Sequence, residues 1–443
     1  MKYLVQIIRV LVGCLFIFSG VVKAIDPLGT SYKMHDYFSA FAATGWPAFW
    51  HMMDTFSISI SVIMIVLEMI AGFALLIGWS NRFTVWLLFL MTLFFTVLTG
   101  FTYLSGFCPN ALFAFFSVAL VTLIIVTACK WHTTHGKKIA AFTALVLLVY
   151  VGLIAGTDNL LTCAFDKTKM KVTDCGCFGD FIKLQPYQTF WKDIVLDVLI
   201  FILVIGVAQI QPLFKNRTTT LLTVCFAVIS LLFSFSNYLW GLPIVDFRPY
   251  KIGNNIRELR VAQKPAITDF VFIYKNTKTQ QEKEFKMDEL GNITDEYEFV
   301  DRKEKILDPG IPAKIDGFFI SDTDNDLTDS LLSDPDYSFM VVAYHLSETD
   351  LEVFKRSIVP LSNKVQQAGF AFYCVYGADM NADPLRHELQ AAFPFYTSDE
   401  TPLKTIVRSN PGLVLLKNGV VVNMWHKYDI PSFETLQTNY LSK

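Results

Sequence analysis

Charge is scarce in this sequence, and neither sign dominates. Only 17% of the 443 residues are Asp, Glu, Lys or Arg, and the formal net charge is -3. There is no basic stripe with interleaved aromatic residues, so no nucleic-acid partner is predicted. By contrast, 53% of the residues are hydrophobic, and they are concentrated before about residue 240. The chain is therefore expected to have two regions: one before about residue 240 that lies in the lipid bilayer, and one after it that lies in water.

A cleavage site of the small-x-small type is also missing after the first apolar run, residues 3–24. That run is longer than the apolar part of a signal peptide, so a retained helix is expected. Apolar runs of about 20 residues, the length that a bilayer demands, recur through the first half. They predict about seven transmembrane helices, at residues 4–24, 56–79, 83–104, 110–128, 138–156, 191–210 and 219–240.

Lysine and arginine fall in every second connection between these predicted spans. Cytoplasmic loops collect such residues, so the pattern predicts a cytoplasmic N-terminus. An odd number of spans then places the C-terminal part outside. The prediction is a multi-pass protein of the bacterial inner membrane with a periplasmic C-terminal domain. The basic residues used are Lys2, Arg9, Arg82, Lys130, Lys137, Lys138, Lys215 and Arg217.

This topology sorts the cysteines by compartment. Those on the predicted outer side lie where disulfides persist; they are Cys108, Cys163, Cys175 and Cys177. Those toward the inner halves of helices are expected to act as small apolar side chains; they are Cys14, Cys129 and Cys225.

The sharpest local motif is Asp-Cys-Gly-Cys-Phe-Gly-Asp at residues 174–180. A disulfide between Cys175 and Cys177 would close a small, strained ring, and strained disulfides are easily reduced. Gly176 supplies the unusual backbone angles that such a ring needs. A redox-active pair is therefore favoured. Two alternatives stay open: a structural disulfide from Cys163 to either cysteine, and a metal site, which the lack of histidine in this loop disfavours.

Two helices and the cysteine motif resemble known membrane proteins. The first span, with Arg9, Gly13 and Lys23, is similar to the opening of DoxX-type proteins. The second, from Glu68 through Gly72, resembles the next helix of that family, which has an intramembrane acid. The Cys-Gly-Cys-Phe-Gly stretch resembles the signature of MauE, a redox-associated membrane protein implicated in maturing methylamine dehydrogenase, whose small subunit needs many disulfides.

The resemblance implies a DoxX-like four-helix unit at residues 1–128 and MauE-like helices with the cysteine loop at 129–246. It also implies that the protein supports thiol-disulfide exchange or the maturation of envelope client proteins, as a component of a thiol-disulfide oxidoreductase. Cys175 and Cys177 would be the redox pair, with Cys108 and Cys163 as their candidate partners. A quinone enters as a cofactor by analogy with quinone-linked disulfide-generating enzymes, and no other cofactor is evident.

Ionisable residues inside predicted spans are the second functional signal. Glu68 lies near the middle of its span, where an unpaired charge costs on the order of 2.5 kcal/mol or more. Its expected partner is Arg9, whose long side chain can reach inward. The pair either locks two helices together or handles protons. Asp197 lies nearer the end of its span, and we expect it to reach the membrane interface rather than to act as a base for a thiol.

Beyond residue 246 the composition is that of a soluble protein. Residues 247–325 predict a β-rich lead-in, with strands near 268–274 and 297–299. Residues 326–443 alternate strand and helix patterns, which argues for an α/β sheet. The predicted strands lie at 339–344, 370–375, 413–416 and 420–422, and the predicted helices at 347–368 and 384–393.

The segment Asn-Pro-Gly-Leu at residues 410–413, followed by a Lys-Asn-Gly turn, resembles the proline-bearing segment of thioredoxin folds. Pro411 would then be the cis-proline. Where a thioredoxin carries Cys-x-x-Cys, this sequence reads His-Leu-Ser-Glu at residues 345–348. The remaining cysteine, Cys374, lies in a predicted core strand. The domain is therefore expected to dock peptides beside Pro411 rather than to reduce them.

The fold class predicted from the sequence is a membrane helical bundle followed by a soluble, thioredoxin-like α/β domain. Two other functions remain open. A non-enzymatic scaffold would use its cysteines as structural disulfides and its outer domain to bind an envelope partner. A small-molecule transporter has Glu68 in its favour.

Overall fold

The structure is a computed structural model of the chain. Within it the chain forms two compact units, Met1–Val245 and Asp246–Lys443, and each has its own hydrophobic core. The residues that the structure describes are 2–43, 46–106, 170, 172, 176–182, 184–239, 241–265, 267–294, 296–308, 310–323, 325–378 and 381–441.

Long apolar helices build the first unit. Among the described residues, four helices are long and apolar enough to cross a membrane: Lys2–Ile25, Ser57–Ile77, Asn81–Leu104 and Asn216–Tyr238. They confirm four of the predicted spans. The predicted spans at 110–128 and 138–156 lie outside the described residues. The helices are α1 (Lys2–Ile25), α2 (Pro27–Ala42), α3 (Pro47–Thr55), α4 (Ser57–Ile77), α5 (Asn81–Leu104), α6 (Pro186–Ile205) and α7 (Asn216–Leu239).

Helix α6 begins and ends five residues before the predicted span at 191–210. Its start is set by Pro186 in the first turn and by a capping box in which Gln185 and Gln188 satisfy each other's backbone groups. At the other end the helix stops before Gly206, and a short 3-10 turn, Val207–Gln209, follows. Apolar residues beyond Ile205 therefore belong to a turn, which a hydropathy pattern alone does not reveal.

Two helices, α2 and α3, fill the connection between the first two spans, where the sequence pattern predicted no helix. Asp26 caps α2 because its carboxylate accepts a hydrogen bond from the Gly29 amide at 3.0 Å. Proline opens each of these helices. Helix α2 buries Met34 and Tyr37 in a cluster that also includes Phe101 of α5. It is therefore a packed part of the unit.

Helices α1 and α4 run antiparallel and approach closely through glycines. A Cβ atom on Gly72 would lie 2.8 Å from the Gly13 carbonyl oxygen and 2.9 Å from the Phe16 Cβ. Glycine at these positions lets the two backbones meet, the usual device of membrane helices. The helix pair forms one side of a core that includes Val12, Leu75 and residues of α5 and α6.

The second unit begins with helix α8 (Ile256–Leu259) and a three-stranded antiparallel sheet of order β2-β1-β3. The strands are β1 (Ile267–Asn276), β2 (Glu282–Lys286) and β3 (Tyr297–Asp308). β1 and β3 confirm the two strands predicted in this region.

A five-stranded sheet of order β6-β5-β4-β7-β8 follows. β4, β5 and β6 are parallel, whereas β7 and β8 are antiparallel to their neighbours. This confirms the predicted α/β class. β6 and the helix after it were not predicted. The strands are β4 (Tyr337–Ala343), β5 (Ala371–Gly377), β6 (Phe395–Ser398), β7 (Gly412–Lys417) and β8 (Val420–Trp425).

Helices cover this sheet, and one face of it forms a core with Phe339 and Val341 at its centre. A π-helical turn, Phe354–Ile358, joins α10 to α11. The helices are α9 (Thr328–Leu332), α10 (Leu351–Val353), α11 (Val359–Gln367), α12 (Asp383–Leu389), α13 (Glu400–Ile406) and α14 (Phe433–Leu436).

The lead-in segment pairs with both edges of the five-stranded sheet. Val421 of β8 donates to the Asn254 carbonyl at 2.9 Å, and Ser321 exchanges backbone hydrogen bonds with Thr397 of β6 at 2.9 Å. Covered edges cannot recruit another strand. The lead-in is therefore an integral part of the second unit.

We predict that Gly72→Val destabilises the first unit. The added side chain must push α1 away from α4, and overpacking of this kind costs about 1–3 kcal/mol. The measurement is the midpoint of unfolding of the purified protein in a dodecyl sulfate titration. Gly241→Val is the control, because a Cβ at Gly241 meets nothing within 4 Å. Equal midpoints for both variants would contradict the close α1–α4 packing.

Candidate functional site

A cavity, called here the cysteine cavity, lies among α1, α2, α4, α5, α6 and the loop at residues 176–182. It holds about 680 Å³ of space, part of it open to solvent. Much of the wall is apolar, with Phe16, Phe95 and Leu196 as examples. Charged and polar side chains reach it from several helices and from the loop: Lys23, Glu68, Thr99, Cys177, Lys192 and Asp193.

Cys177 enters the cavity from a tightly turned loop. Gly176 and Gly179 have φ of +62° and +51°, left-handed values that favour glycine. The Ser19 hydroxyl donates to the Cys177 carbonyl at 2.9 Å and ties the loop to α1. The Lys192 side chain of α6 hydrogen-bonds to the Cys177 side chain. A cation beside a cysteine stabilises the thiolate, which is the reactive form.

Cys177 is the member of the predicted cysteine set that the structure describes. Cys175, Cys108 and Cys163 lie outside the described residues, so the pairing of these cysteines stays a prediction. Within the described residues, no group of three or more His, Cys, Asp or Glu side chains could hold a metal ion.

Lys192 also pairs with its neighbour Asp193, at 2.9 Å between Nζ and Oδ1. The Asp193 residue is 2% exposed, and its Oδ2 accepts a hydrogen bond from the Thr99 hydroxyl at 3.0 Å. The Lys192 ammonium lies over the Phe178 ring, 5.1 Å from its centroid. A buried charge pair needs such additional partners to offset its loss of solvent. Sequence analysis missed this pair because the predicted span placed Lys192 at a helix end.

Glu68 pairs with Lys23, and the predicted Glu68–Arg9 pair is wrong. Lys23 Nζ lies 2.8 Å from Glu68 Oε2, and the two side chains are 6% and 4% exposed. The Lys23 ammonium also lies 5.1 Å from the centroid of the Phe95 ring. Because α1 and α4 are antiparallel, the C-terminal end of α1 lies beside the middle of α4. Lys23 is therefore the basic residue of α1 within reach of Glu68.

Arg9 instead caps the C-terminal end of α4. It donates to the Leu75 carbonyl at 2.8 Å, to the Leu76 carbonyl at 2.7 Å and to the Gln211 carbonyl at 2.9 Å. The last carbonyls of a helix have no partner within the helix, and that end carries partial negative charge. Arg9 supplies hydrogen-bond donors to these carbonyls and a positive charge near the negative helix end. It also links the end of α4 to the segment before α7.

Asp197 lies deeper in its helix than the predicted span implied, and its position at the membrane interface stays a prediction. Its Oδ2 accepts a hydrogen bond from the Thr96 hydroxyl of α5 at 2.7 Å. Its Oδ1 is buried and has no hydrogen-bond partner among the described residues. Since α6 begins at Pro186, Asp197 lies about three turns inside the helix, and its carboxylate faces α5.

A row of threonines on α5 supplies the hydroxyls that these acids contact. Thr92, Thr96, Thr99 and Thr102 follow at three- and four-residue intervals and share one helix face. Thr102 also hydrogen-bonds to the Tyr37 hydroxyl at 2.8 Å. The spacing was a readable signal in the sequence. It was missed because threonine in an apolar helix commonly bonds its own backbone, as Thr92 does with the Leu88 carbonyl at 2.9 Å.

In the second unit, the end of β4 carries a polar cluster around His345. Asn410 donates to the His345 carbonyl at 2.7 Å, and Thr349 donates to the Asn410 side-chain oxygen at 2.7 Å. The Asn410–Pro411 peptide bond is cis, as predicted. The predicted core position of Cys374 is also confirmed: it is 0% exposed, and burial raises the pKa of its thiol.

His345 and Glu400 form an ion pair at 2.8 Å between Nε2 and Oε1. The hydrogen bond to Glu400 raises the pKa of His345 above its ordinary value. Burial alone would raise the pKa of Glu400, but hydrogen bonds from His345 and Lys404 lower it to about 2. Helix α13 is therefore linked to the end of β4 by a contact that depends on pH.

Taken together, the apolar helices and the sheets describe a multi-pass membrane protein with an α/β unit at its C-terminal side. Residues 1–108 match the family model described as Methylamine utilisation protein MauE. That segment, which contains α1 to α5, is therefore similar to a MauE-type membrane protein. No curated protein and no solved structure matches the chain.

We predict that Lys23→Met strongly destabilises the first unit. It leaves Glu68 buried without a cation, a change that costs about 3–5 kcal/mol. The double variant Lys23→Met with Glu68→Leu removes both charges and is expected to recover most of the loss. Unfolding midpoints in dodecyl sulfate measure both. Lys33→Met is the control, because Lys33 lies 3.7 Å from Asp36 in a more exposed pair. A double variant no more stable than Lys23→Met would refute the pairing.

We predict that α13 is held more firmly at pH 6 than at pH 8. The folded pKa of His345 is raised, so its contribution is complete below the unfolded value of about 6.5 and is lost as pH rises through the folded value. Hydrogen exchange of residues 400–406 in the intact protein, corrected for intrinsic pH dependence, should therefore speed up between pH 6 and 8. His345→Gln should abolish this dependence, whereas His387→Gln, at an exposed site on α12, should preserve it.

Proposed function

We propose that this protein is a DoxX/MauE-type component of thiol-disulfide exchange in the cell envelope, acting through Cys177 together with Cys175. The observation that carries the proposal is the contact of the Cys177 side chain with Lys192 at the wall of the cysteine cavity. A sulfur buried away from any cavity would instead favour a structural disulfide and a non-enzymatic scaffold. Cys177 is half-buried and faces a cavity.

The chemistry is a transfer of two electrons between cysteine pairs. The Cys177 thiolate attacks one sulfur of a client disulfide, and the client's other sulfur leaves as a thiolate. Cys175 then attacks Cys177 in the mixed disulfide, which releases the second client thiolate and leaves Cys175 and Cys177 bridged. The reverse sequence oxidises the client. Both directions need a thiolate at Cys177, and Lys192 favours that form.

The proposed orientation has the N-terminus in the cytoplasm and the cysteine cavity toward the periplasm. Arg9 of α1 contacts the end of α4 and Gln211 before α7, so these segments meet at one end of the bundle. Arg82, Lys215 and Arg217 belong to the same turns. Cys177 lies toward the opposite end, beside Ser19, and basic residues accumulate on the cytoplasmic side. This arrangement supports a bacterial inner-membrane location.

The second unit is proposed to be thioredoxin-like and to dock client proteins. Its support is the sheet order β6-β5-β4-β7-β8 with two antiparallel strands at one side, together with the cis peptide bond before Pro411. The end of β4 carries His345 where such a domain would carry a thiol, so the unit itself does no redox chemistry. An extended peptide of the client would lie beside Pro411.

The electron acceptor proposed by analogy is a membrane quinone. The candidate site for it is the cysteine cavity. Its apolar wall suits a ring, and the ammonium groups of Lys23 and Lys192 are donors that suit carbonyl oxygens. A bound quinone would accept two electrons and two protons and so regenerate the disulfide.

The proposal predicts that Lys192→Met slows the reaction of Cys177 with a maleimide at pH 7 by about tenfold. Loss of a cation at hydrogen-bond distance reduces the thiolate fraction by roughly that factor. Lys192→Arg keeps the charge and is the matched control. The labelled fraction of Cys177 is read by mass spectrometry on the full-length protein in membranes.

Thiol trapping in intact cells then tests the function itself. Cys177 should pass between reduced and oxidised states as envelope proteins are oxidised or reduced, and the Lys192→Met variant should lag behind Lys192→Arg. A Cys177 that stays in one state under both conditions would refute thiol-disulfide exchange and leave the scaffold as the better account.

A further inference from the structure

Charges of alternating sign line the cysteine cavity next to the thiol. Lys192 contacts both the Cys177 side chain and Asp193. Asp193 in turn interacts electrostatically with Lys23, which pairs with Glu68. Two lysines and two acids therefore lead from the sulfur toward the middle of α4. The proposed function uses the first of these contacts and gives no role to the others.

We infer that Asp193 accepts the proton of the Cys177 thiol by way of Lys192, and so keeps the thiolate in a site without net charge. This inference rests on the proposed thiol chemistry of Cys177. Lys192 is the catalytic residue in it, because it touches the reacting sulfur. Asp193 is a positioning residue that acts through Lys192.

The proton transfer balances within three side chains. Lys192 gives one N–H proton to Asp193 Oδ1, which lies 2.9 Å from its Nζ, and takes the S–H proton of Cys177. One S–H bond breaks and one O–H bond forms, while Lys192 remains an ammonium. Before the transfer the charges are the Lys192 cation and the Asp193 carboxylate; afterwards they are the Lys192 cation and the thiolate. The net charge is zero in both states, which is the condition that a poorly solvated site favours.

The surroundings of Asp193 suit a group that changes its protonation. Its Oδ2 accepts from the Thr99 hydroxyl at 3.0 Å, a contact that a neutral or an ionised carboxyl can keep. The pair Lys23–Glu68 lines the same cavity from α1 and α4. The titratable groups that line the cavity around the thiol are Lys23 of α1, Lys33 and Tyr37 of α2, Glu68 of α4, and Lys192 and Asp193 of α6; Asp36 of α2 pairs with Lys33.

Asp197 provides a matched comparison on the same helix. It lies one turn deeper than Asp193 and, like Asp193, accepts a hydrogen bond from a threonine of α5, at 2.7 Å. It does not line the cysteine cavity. A substitution at Asp197 therefore changes the same chemical group in a similar setting without changing the carboxylate beside Lys192.

The experiment is the pH dependence of maleimide labelling of Cys177 in the reduced, full-length protein in membranes. A Cys175→Ser background leaves Cys177 as the single cysteine of its tryptic peptide, residues 172–183, for mass spectrometry. Two groups that share one proton titrate as a pair. In the parent protein, the rate of Cys177 labelling should therefore rise with pH in two steps separated by a plateau. At the plateau one proton is shared between Cys177 and Asp193.

In Asp193→Asn, labelling of Cys177 should rise with pH in a single step whose midpoint pH is lower. The Lys192 charge then stabilises only the thiolate and no longer a carboxylate as well. Asp197→Asn should retain two steps. Thr99→Val keeps Asp193 but removes its hydroxyl partner, so the proton resides more on Asp193 and the plateau should rise. Thr99→Val leaves the Asp193 carboxyl group in place. A raised plateau in Thr99→Val therefore supports proton acceptance by Asp193 even if Asp193→Asn fails to fold.

A single step in the parent, or two steps in Asp193→Asn, overturns the inference. If Cys177 changes redox state in cells but labels in a single step, the proposed function stands and the proton acceptor is refuted. If labelling shows two steps that Asp193→Asn reduces to one while Cys177 never changes redox state in cells, the acceptor stands and the proposed function is refuted.

Discussion

The membrane unit depends on how closely α1 approaches α4. At Gly13 and Gly72 the two backbones are nearly in contact, and this separation sets the reach of every charged side chain along the pair. Toward one end Lys23 meets Glu68, and toward the other Arg9 meets the last carbonyls of α4. The opposite helix supplies a carboxylate to Lys23 and backbone carbonyls to Arg9. Small-residue packing and polar pairing therefore stabilise one another, because separating the helices would break both.

A second polar contact, between α5 and α6, uses a different chemistry. Threonine hydroxyls of α5 donate to one carboxylate oxygen of Asp193 and one of Asp197 on α6. The two polar contacts reach the cysteine cavity from different walls, and the loop that carries Cys177 completes it. Ser19 of α1 holds that loop through its carbonyl, and Lys192 of α6 contacts its sulfur. The thiol is thus positioned by both helix pairs.

Much of this architecture could be predicted from the sequence, and the failures share a physical cause. Apolar length predicted the four long spans, and alternation of apolar and polar residues predicted β1 and β3. Apolar runs between helical patterns predicted β4 and β5, because burial decides all of these patterns. Arg9 and Asp197 were misplaced because a partner depends on helix direction and on where α6 begins, and capping by Gln185 settles the latter. Helices α2 and α3 were missed because proline, capping and packing, rather than hydropathy, make them helical. The Lys192–Asp193 pair depends on both the start of α6 and its contact with Thr99.

Cys374 of the second unit and Cys177 of the first unit lie in contrasting surroundings. Cys374 lies inside β5 with no exposed surface, and burial without a cation raises the pKa of its thiol. That sulfur is inert for the same reason that it packs well. Cys177 is only half-buried and has an ammonium beside it, in a cavity where a charge acts more strongly than it does in water. At the end of β4 in the second unit, His345 is held by Glu400 and Asn410. The two sulfurs therefore differ in solvent exposure and in the charge beside them, and these two differences decide how readily each can form a thiolate.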